Sequence, residues 1–200
     1  MIKKVLIILT IVGLLSSCAT YKPSNVNDLC SILSEEDWYE SALDSQEEWG
    51  TPLHVQLAIM HQESKFNRTI RPDMEWFLGF IPVGRPSDAY GYAQALESTW
   101  ETYIRSTGNW NAKRDEFDDA IHFIGWYTFQ SHKKLGISKW DAKAQYLAYH
   151  DGWGGYKRGT YRNKSWLLRV SEKVKKRSLE YARQYKRCRP QLDDNIRGWF

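Results

Sequence analysis

Among the residues that could carry out chemistry, one glutamate stands out. Glu63 lies near the end of a stretch, about residues 52–64, whose apolar residues recur with the period of a helix, and Ser64 follows it directly. Helix-end carbonyls and apolar neighbours disfavour a carboxylate and raise its pKa. An acid that stays protonated near neutral pH can protonate a leaving oxygen, as cleavage of a glycosidic bond requires. The alternative is a solvated carboxylate at a helix end.

Two short motifs further along the chain fit the same chemistry. Residues 89–94 read AYGYAQ and residues 148–152 read AYHDG. Most glycosidases also use a second carboxylate, and the candidates in this sequence are Asp73, Asp88 and Asp151. None of the three lies in a pattern that sets it apart from an ordinary polar residue. Glu63 is therefore the one compelling acid.

The ordered set of motifs resembles the lytic transglycosylases with a soluble-lytic-transglycosylase (SLT) catalytic domain, of the lysozyme-like superfamily. Glu63 and Ser64 match the family's Glu-Ser motif, residues 91–94 match its Gly-Leu-Met-Gln stretch loosely, and residues 148–150 match its Ala-Tyr-Asn motif. The resemblance covers roughly residues 50–160. It implies a mainly α, lysozyme-like domain that binds peptidoglycan glycan strands and uses no cofactor.

The resemblance also implies a mechanism in which one carboxylate is enough. Glu63 would first protonate the oxygen between N-acetylmuramic acid and N-acetylglucosamine, while the substrate's N-acetyl group stabilises the developing cation. Glu63 would then accept the proton of the muramoyl 6-hydroxyl. The product would carry a 1,6-anhydro end, formed without water.

Other site residues are carried over from the family by position. Ser64 would orient Glu63, and Gln94 would hydrogen-bond the muramoyl substituents. Tyr149 would place its hydroxyl near Glu63 and the substrate. Gly91 would let the backbone approach the sugar closely.

The sequence departs from the family pattern at three positions of these motifs. Tyr92 and Ala93 stand where the family has Leu and Met, so the floor beside Gln94 would change shape and gain a phenol. His150 stands where the family has Asn, which would alter polar contacts or add a group that titrates near neutral pH. These differences affect the expected substrate details and pH optimum more than the reaction class.

Two other functions are compatible with the sequence. The first is a water-using muramidase similar to goose-type lysozyme, which would leave reducing ends. The second is a peptidoglycan-binding lipoprotein that keeps the fold without turnover, and the altered segment 91–94 is its only support.

The first residues have the pattern of a bacterial lipoprotein signal. Lys3 and Lys4 precede an apolar run, residues 5–15, that is too short to span a bilayer comfortably, and Cys18 follows small residues as in a lipobox. We expect residues 1–17 to be a signal peptide and Cys18 to carry the lipid anchor. By resemblance to the sorting of enteric lipoproteins, Ala19 rather than Asp after the cysteine favours the outer membrane, facing the periplasm. The alternative is an ordinary secretory signal with a coincidental cysteine.

Two further cysteines remain once Cys18 is assigned to lipidation. Cys30 and Cys188 form an even pair, and disulfides persist in the oxidising compartments that exported proteins reach. We favour a disulfide between them. The alternative is two separate buried thiols.

Helix start and stop signals along the chain predict a mainly α domain. We expect a lipidated tether over residues 18–27, a catalytic domain over residues 28–190 and a tail over residues 191–200. Helical patterns begin near residues 34, 52, 98, 115, 138 and 165, and the last of these helices is basic and ends near residue 186. Residues 68–88 contain three Pro and two Gly around an apolar segment, which predicts a loop or small hairpin. Packing on the core is the favoured interpretation of that segment, ahead of a groove wall or a contact with a membrane or partner.

Charge and composition narrow the possible partners. The formal net charge is +4, and basic residues crowd positions 157–189. A solvated face is the simplest interpretation, with attraction to anionic peptidoglycan or lipid head groups as the alternative. Nucleic-acid binding does not fit an exported lipoprotein. The histidines show no spacing typical of a metal site, so we predict no metal, and we expect a monomer.

Overall fold

Seven helices and one β-hairpin make up the part of the chain that the computed structural model describes, residues 22–35 and 37–197. The predicted mainly α fold with a small hairpin within residues 68–88 is confirmed. In chain order the elements are α1 (Leu29–Leu33), α2 (Trp38–Trp49), α3 (Leu53–Ser64), β1 (Glu75–Phe77), β2 (Ile81–Gly84), α4 (Glu97–Thr107), α5 (Phe117–Leu135), α6 (Ala142–Arg158), a 3-10 turn (Thr160–Asn163) and α7 (Ser165–Arg197).

Helix α3, which carries Glu63, is the central helix of the domain. It packs against α2, α5, α6 and α7. Its residues from 55 to 60 are all buried, as expected for a helix that neighbours enclose on every side. The one long polar side chain among them, Gln56, is satisfied: its Oε1 accepts a bond of 2.7 Å from Ser45, and its Nε2 donates to the Thr51 carbonyl. The backbone that holds Glu63 is therefore fixed by the core.

Helix α7 closes the domain against its beginning. It contacts α1, α3 and α6, and a disulfide joins Cys30 in α1 to Cys188 in α7 with a Cα–Cα distance of 5.9 Å. The structure thus contains the cysteine pairing that the sequence favours. Hydrogen bonds reinforce the junction: Gln184 accepts from the Leu29 N–H at 2.7 Å, and Tyr181 donates to the Val26 carbonyl.

Helix α7 ends later than the sequence predicts. The sequence ends the basic helix near residue 186 and begins a tail at residue 191, whereas the helix continues through Pro190 to Arg197. Burial explains the extension: Leu192 is 4% exposed, and Asp193 accepts a hydrogen bond from the Tyr39 hydroxyl. The chain beyond residue 190 is held by packing that local sequence does not reveal.

The hairpin of β1 and β2 is antiparallel, with a bulge between Glu75 and Trp76. The interpretation that this segment packs on the core is wrong, since every residue from 74 to 83 is exposed. No helix in the described ranges is both long and apolar enough to cross a membrane.

Candidate active site

Glu63 lies in the last turn of α3, directly before a sharp reversal of the chain. Lys65 and Phe66 both have positive φ angles, 49° and 59°, so the chain reverses immediately after the helix. Such angles are strained for residues other than glycine, and burial compensates here: Phe66 is completely buried and its ring lies 5.9 Å from that of Trp38. The expected position of Glu63, at the C-terminal end of a buried helix, is what the structure shows.

The Glu63 carboxyl group lies in an environment that favours the protonated form. The residue is half-buried, but its Oε1 atom is closed off from solvent and accepts no hydrogen bond from the described residues. Burial raises the pKa of Glu63 to about 7, and a hydrogen bond from the Tyr146 hydroxyl opposes this rise. An acid with this pKa is populated in both protonation states near neutral pH, which suits proton transfer in either direction.

Helix α6 presents two tyrosines to this carboxyl group. Tyr146 and Tyr149 are three residues apart and therefore share a helix face. Tyr149 donates a hydrogen bond of 2.6 Å to the Ala93 carbonyl, which ties α6 to the loop around residue 94. Burial, followed by the charge of nearby Glu63, raises the pKa of Tyr149. Both phenols are therefore neutral, and that of Tyr146 is the one bonded to the acid.

Glu63 opens onto a cleft of about 480 Å³. Aromatic side chains of α5 form one side: the Phe123 ring lies 6.3 Å from that of Tyr149, and the Tyr127 ring lies 4.9 Å from it. The other side comes from the segments around Pro72 and residues 87–99. A cleft with apolar aromatic walls and one enclosed acid can bind a sugar chain by its CH faces and polar edges.

The sequence motifs meet in this cleft. Of the predicted site residues, Glu63, Gln94, Tyr149 and His150 line it, whereas Ser64, Gly91 and Tyr92 do not. Cys18 lies outside the described residues.

Ser64 does not make the hydrogen bond to Glu63 that its position suggested. Its hydroxyl donates to the Met60 carbonyl at 3.3 Å and accepts from the Phe66 N–H at 3.1 Å. Ser64 therefore caps the end of α3 and stabilises the turn behind the acid. The bond to the acid comes instead from Tyr146.

Gly91 and Tyr92 have roles in the fold. Gly91 has φ of 75°, and a Cβ atom on it would lie 1.9 Å from the Arg114 carbonyl oxygen, so backbone packing already requires glycine there. The closer approach to a sugar that the resemblance implies for Gly91 stays a prediction. Tyr92 is 3% exposed and packs edge-on against the stacked rings of Trp38 and Phe117, with ring distances of 5.7 and 5.9 Å. The expectation of a phenol on the cleft floor is corrected accordingly.

Gln94 faces the cleft from a constrained backbone position. Its φ angle is 48°, and its Nε2 donates to the carbonyls of Ile70 and Gly91 at 2.9 and 3.0 Å. These bonds use both amide hydrogens, so the side-chain oxygen is left as the group that can accept from a ligand. Its contact with muramoyl substituents stays a prediction.

His150 and Asp151 end the first half of α6 at the cleft. The His150 ring lies 5.0 Å from that of Trp166, and burial, with Lys164 nearby, lowers its pKa. Burial alone would raise the pKa of Asp151, but hydrogen bonds from Lys164 and Thr160 outweigh burial and lower it. Asp151 is thus an ionised, fully engaged carboxylate. Among the cleft-lining residues in the described chain, it is the only carboxylate besides Glu63.

Two contributors were not identified from the sequence. Tyr146 precedes Tyr149 by three residues, and this helical spacing is the signal that could have placed it beside Glu63. Phe123 lies on the buried face of α5, outside the motifs that the sequence singled out. The described residues contain no group of three His, Cys, Asp or Glu side chains that could hold a metal ion.

A comparison with protein families gives one match. The model of the family described as "Transglycosylase SLT domain" matches residues 6–188, which is most of the chain. No curated protein and no solved structure gives a match. The match extends well beyond the segment that carries the motif resemblance and includes every cleft-lining residue.

Proposed function

The chain belongs to the transglycosylase SLT domain family, and from this we propose that it cleaves peptidoglycan glycan strands with Glu63 as the catalytic acid and base. Family membership supports lytic transglycosylase-type activity on peptidoglycan in general. The observation that supports Glu63 is its enclosed carboxyl group, which has an unbonded oxygen, a pKa raised to about 7 and an opening onto the cleft.

In the proposed reaction, Glu63 first gives up a proton and then accepts one. Protonated Glu63 gives its proton to the oxygen that leaves with N-acetylglucosamine as the bond from muramoyl C1 breaks. The muramoyl 6-hydroxyl then bonds to C1, and its proton returns to Glu63. Neutral Tyr146 holds the carboxylate between the two transfers. Asp151 is bonded to Lys164 and Thr160, which supports a route that needs no second carboxylate.

The test is digestion of purified sacculi followed by mass analysis of the products. Wild type should release muropeptides with 1,6-anhydro ends, whereas Glu63→Gln should be slower by about 1,000-fold or more, because a general acid and base contributes roughly 100- to 10,000-fold in each role. Glu101→Gln, which removes an exposed ion pair on α4, is the matched control and should stay active. Equal digestion by wild type and Glu63→Gln would refute the proposal, and reducing ends would indicate the water-using muramidase.

Stability provides an internal control for this variant. The pKa of Glu63 is about 7 in the folded chain against an ordinary value of 4.5. Ionisation therefore destabilises the fold progressively as the pH rises from 4.5 through 7, by about 3 kcal/mol in total. Glu63→Gln removes this penalty, so it should be more stable than wild type at pH 8 and similar at pH 4. A loss of activity in a stable variant then reports chemistry.

We further propose that the protein is held in the cell envelope by lipid on Cys18, as a monomer facing the periplasm. The lipoprotein pattern of residues 1–18 supports this, and the Cys30–Cys188 disulfide fits an oxidising compartment. Incorporation of a labelled fatty acid that persists after Cys18→Ala would contradict the anchor.

A further inference from the structure

The hairpin of β1 and β2 exposes an unbroken apolar surface. Its five most exposed large side chains are between 55% and 69% exposed, namely Trp76, Phe77, Leu78, Phe80 and Val83. No charged residue occurs from position 76 to position 84. Contiguous apolar patches of this kind on a folded domain mark contact sites for other molecules.

The hairpin projects from the rim of the cleft without forming its wall. Pro72 on one side of the hairpin and Ser87 on the other line the cleft, whereas residues 74–83 do not. Three of the five exposed side chains, Trp76, Phe77 and Phe80, are aromatic, but none of them lines the cleft. A glycan in the cleft is therefore not what covers these side chains.

The turn at the tip is built from an unusual residue. Leu78 and Gly79 have φ angles of 53° and 79°, and the Phe80 N–H donates to the Phe77 carbonyl at 3.4 Å. The loop consists of residues 78–80, and a turn position with positive φ prefers Asn, Asp or Gly, so that a bulky residue such as Leu78 is strained there. The backbone conformation of Leu78 is therefore strained, and the exposure of its apolar side chain to water is also unfavourable. Its side chain fits a tip that enters an apolar phase.

The base of the hairpin adjoins a pocket of about 400 Å³ that is lined by three arginines, Arg71, Arg85 and Arg114. The Arg71 guanidinium lies over the Tyr90 ring at 4.3 Å and makes no ion pair with the described residues. Asp88 and Glu97 also line the pocket and offset part of the positive charge of the arginines. A guanidinium group with free donors is suited to bind a phosphate group.

We propose that this hairpin docks the protein on a phospholipid bilayer. Residues 76–83 enter the acyl boundary, and Arg71 and Arg85 contact lipid phosphates. Strands of three and four residues extend about 10 Å, which matches the 5–10 Å depth of interfacial insertion. Trp76, near the base of the inserted part, suits the interface between lipid and water. The tip exposes few unpaired donors, because its turn is bonded and Pro82 has no N–H.

The main alternative occupant of this surface is a second copy of the chain, with the hairpins of the two copies paired edge to edge. Pro82 opposes it on the β2 edge, since proline cannot donate to a strand ladder. Docking on a bilayer goes beyond the proposed function and does not depend on it. Docking would hold the cleft rim beside the membrane, in addition to any lipid on the N-terminal region.

Vesicle co-sedimentation tests the proposal with the chain from residue 19 onward, which contains every described residue and lacks the apolar N-terminal run. Vesicles of phosphatidylethanolamine and phosphatidylglycerol should bind the wild type. Leu78→Glu/Phe80→Glu should lower the partition coefficient by about tenfold or more, because two inserted apolar side chains become charged. The matched control is Trp110→Glu/Leu179→Glu, at positions 71% and 54% exposed elsewhere on the surface, and its binding should equal that of the wild type.

Three outcomes would overturn docking on a bilayer. They are failure of the wild type to sediment with vesicles, equal binding by the tip variant, and light scattering that shows a wild-type dimer abolished by the tip substitutions. Turnover of solubilised glycan fragments separates this proposal from the enzymatic one. The tip variant should cleave fragments at the wild-type rate, so lost vesicle binding with retained turnover identifies the hairpin as a docking element alone.

Discussion

At the scale of single residues, burial and one hydrogen bond have opposite effects on the pKa of Glu63. Burial favours the neutral acid, and the Tyr146 hydroxyl favours the carboxylate by donating to it. The balance leaves the pKa at about 7. One group can then donate a proton and accept one back within a single turnover, without a large cost in either direction.

Removal of the Tyr146 hydroxyl should raise the upper pH limit of activity. In the proposed reaction the first step needs protonated Glu63, so kcat/KM of the wild type should fall as the pH rises through about 7. Tyr146→Phe removes the bond that stabilises the carboxylate, so the pKa of Glu63 rises and the fall should occur at higher pH. The measurement is the pH profile of kcat/KM on solubilised glycan.

Tyr149→Phe is the matched control for that measurement. Its hydroxyl donates to the Ala93 carbonyl, so its loss should cost about 1 kcal/mol of stability and leave the pH limit close to that of the wild type. If Tyr149→Phe moved the limit and Tyr146→Phe did not, the assignment of the two phenols would be reversed.

At the scale of elements, a kink in α6 delivers the motif of residues 148–152 to the cleft. Gly152 has φ of 71° and ψ of 159°, a region that only glycine adopts readily, and helical geometry resumes after it. Thr160 and Lys164, which follow α6, both bond to Asp151 and brace the kink. The structure interrupts the helix at Gly152 alone.

Gly152→Ala should therefore destabilise the protein and reduce activity. The strained backbone should cost about 1–3 kcal/mol in urea unfolding, and relaxation of the kink would displace Tyr149 and His150 from the cleft. Gly154→Ala provides the contrast, because a Cβ there meets only the flexible end of Arg158. That variant should be as stable as the wild type or slightly more stable. Equal stability of the two variants would contradict the role given to the kink.

At the scale of the whole molecule, the two ends of the described chain stabilise each other. The disulfide closes a loop of 158 residues between α1 and α7, and α7 also packs on α3 behind the acid. A long closed loop restricts the unfolded chain strongly. On a chain-entropy basis such a bond contributes up to about 5 kcal/mol.

Reduction should lower the stability of the wild type by roughly 2–5 kcal/mol. Urea unfolding with and without a reductant measures this difference. Cys30→Ser/Cys188→Ser should unfold at the midpoint of the reduced wild type, and the reductant should leave that midpoint unchanged. An unfolding midpoint of the wild type that did not respond to reductant would show that the bond is absent or energetically silent.

Much of the lining of the candidate cleft could be predicted from the sequence, because its signals are local. An acid at the end of an apolar helix, a Gln in a glycine-containing turn and a Tyr on a later helix can each be recognised from neighbours in sequence, since helical period and turn chemistry act over a few residues. The same holds for the mainly α class and for the hairpin, which Pro and Gly punctuate. The cysteine pair followed from an even count in an oxidising compartment.

The tertiary structure alone decided which groups touch. It bonded Tyr146 rather than Ser64 to Glu63, buried Tyr92 against the stacked rings of Trp38 and Phe117, and set Gly91 against the Arg114 carbonyl. It also left the apolar hairpin exposed and extended α7 through Pro190. The physical reason is the same in each case. Hydrogen bonds and burial between segments tens of residues apart depend on how the helices pack. Local periodicity does not determine which helix faces pack against each other.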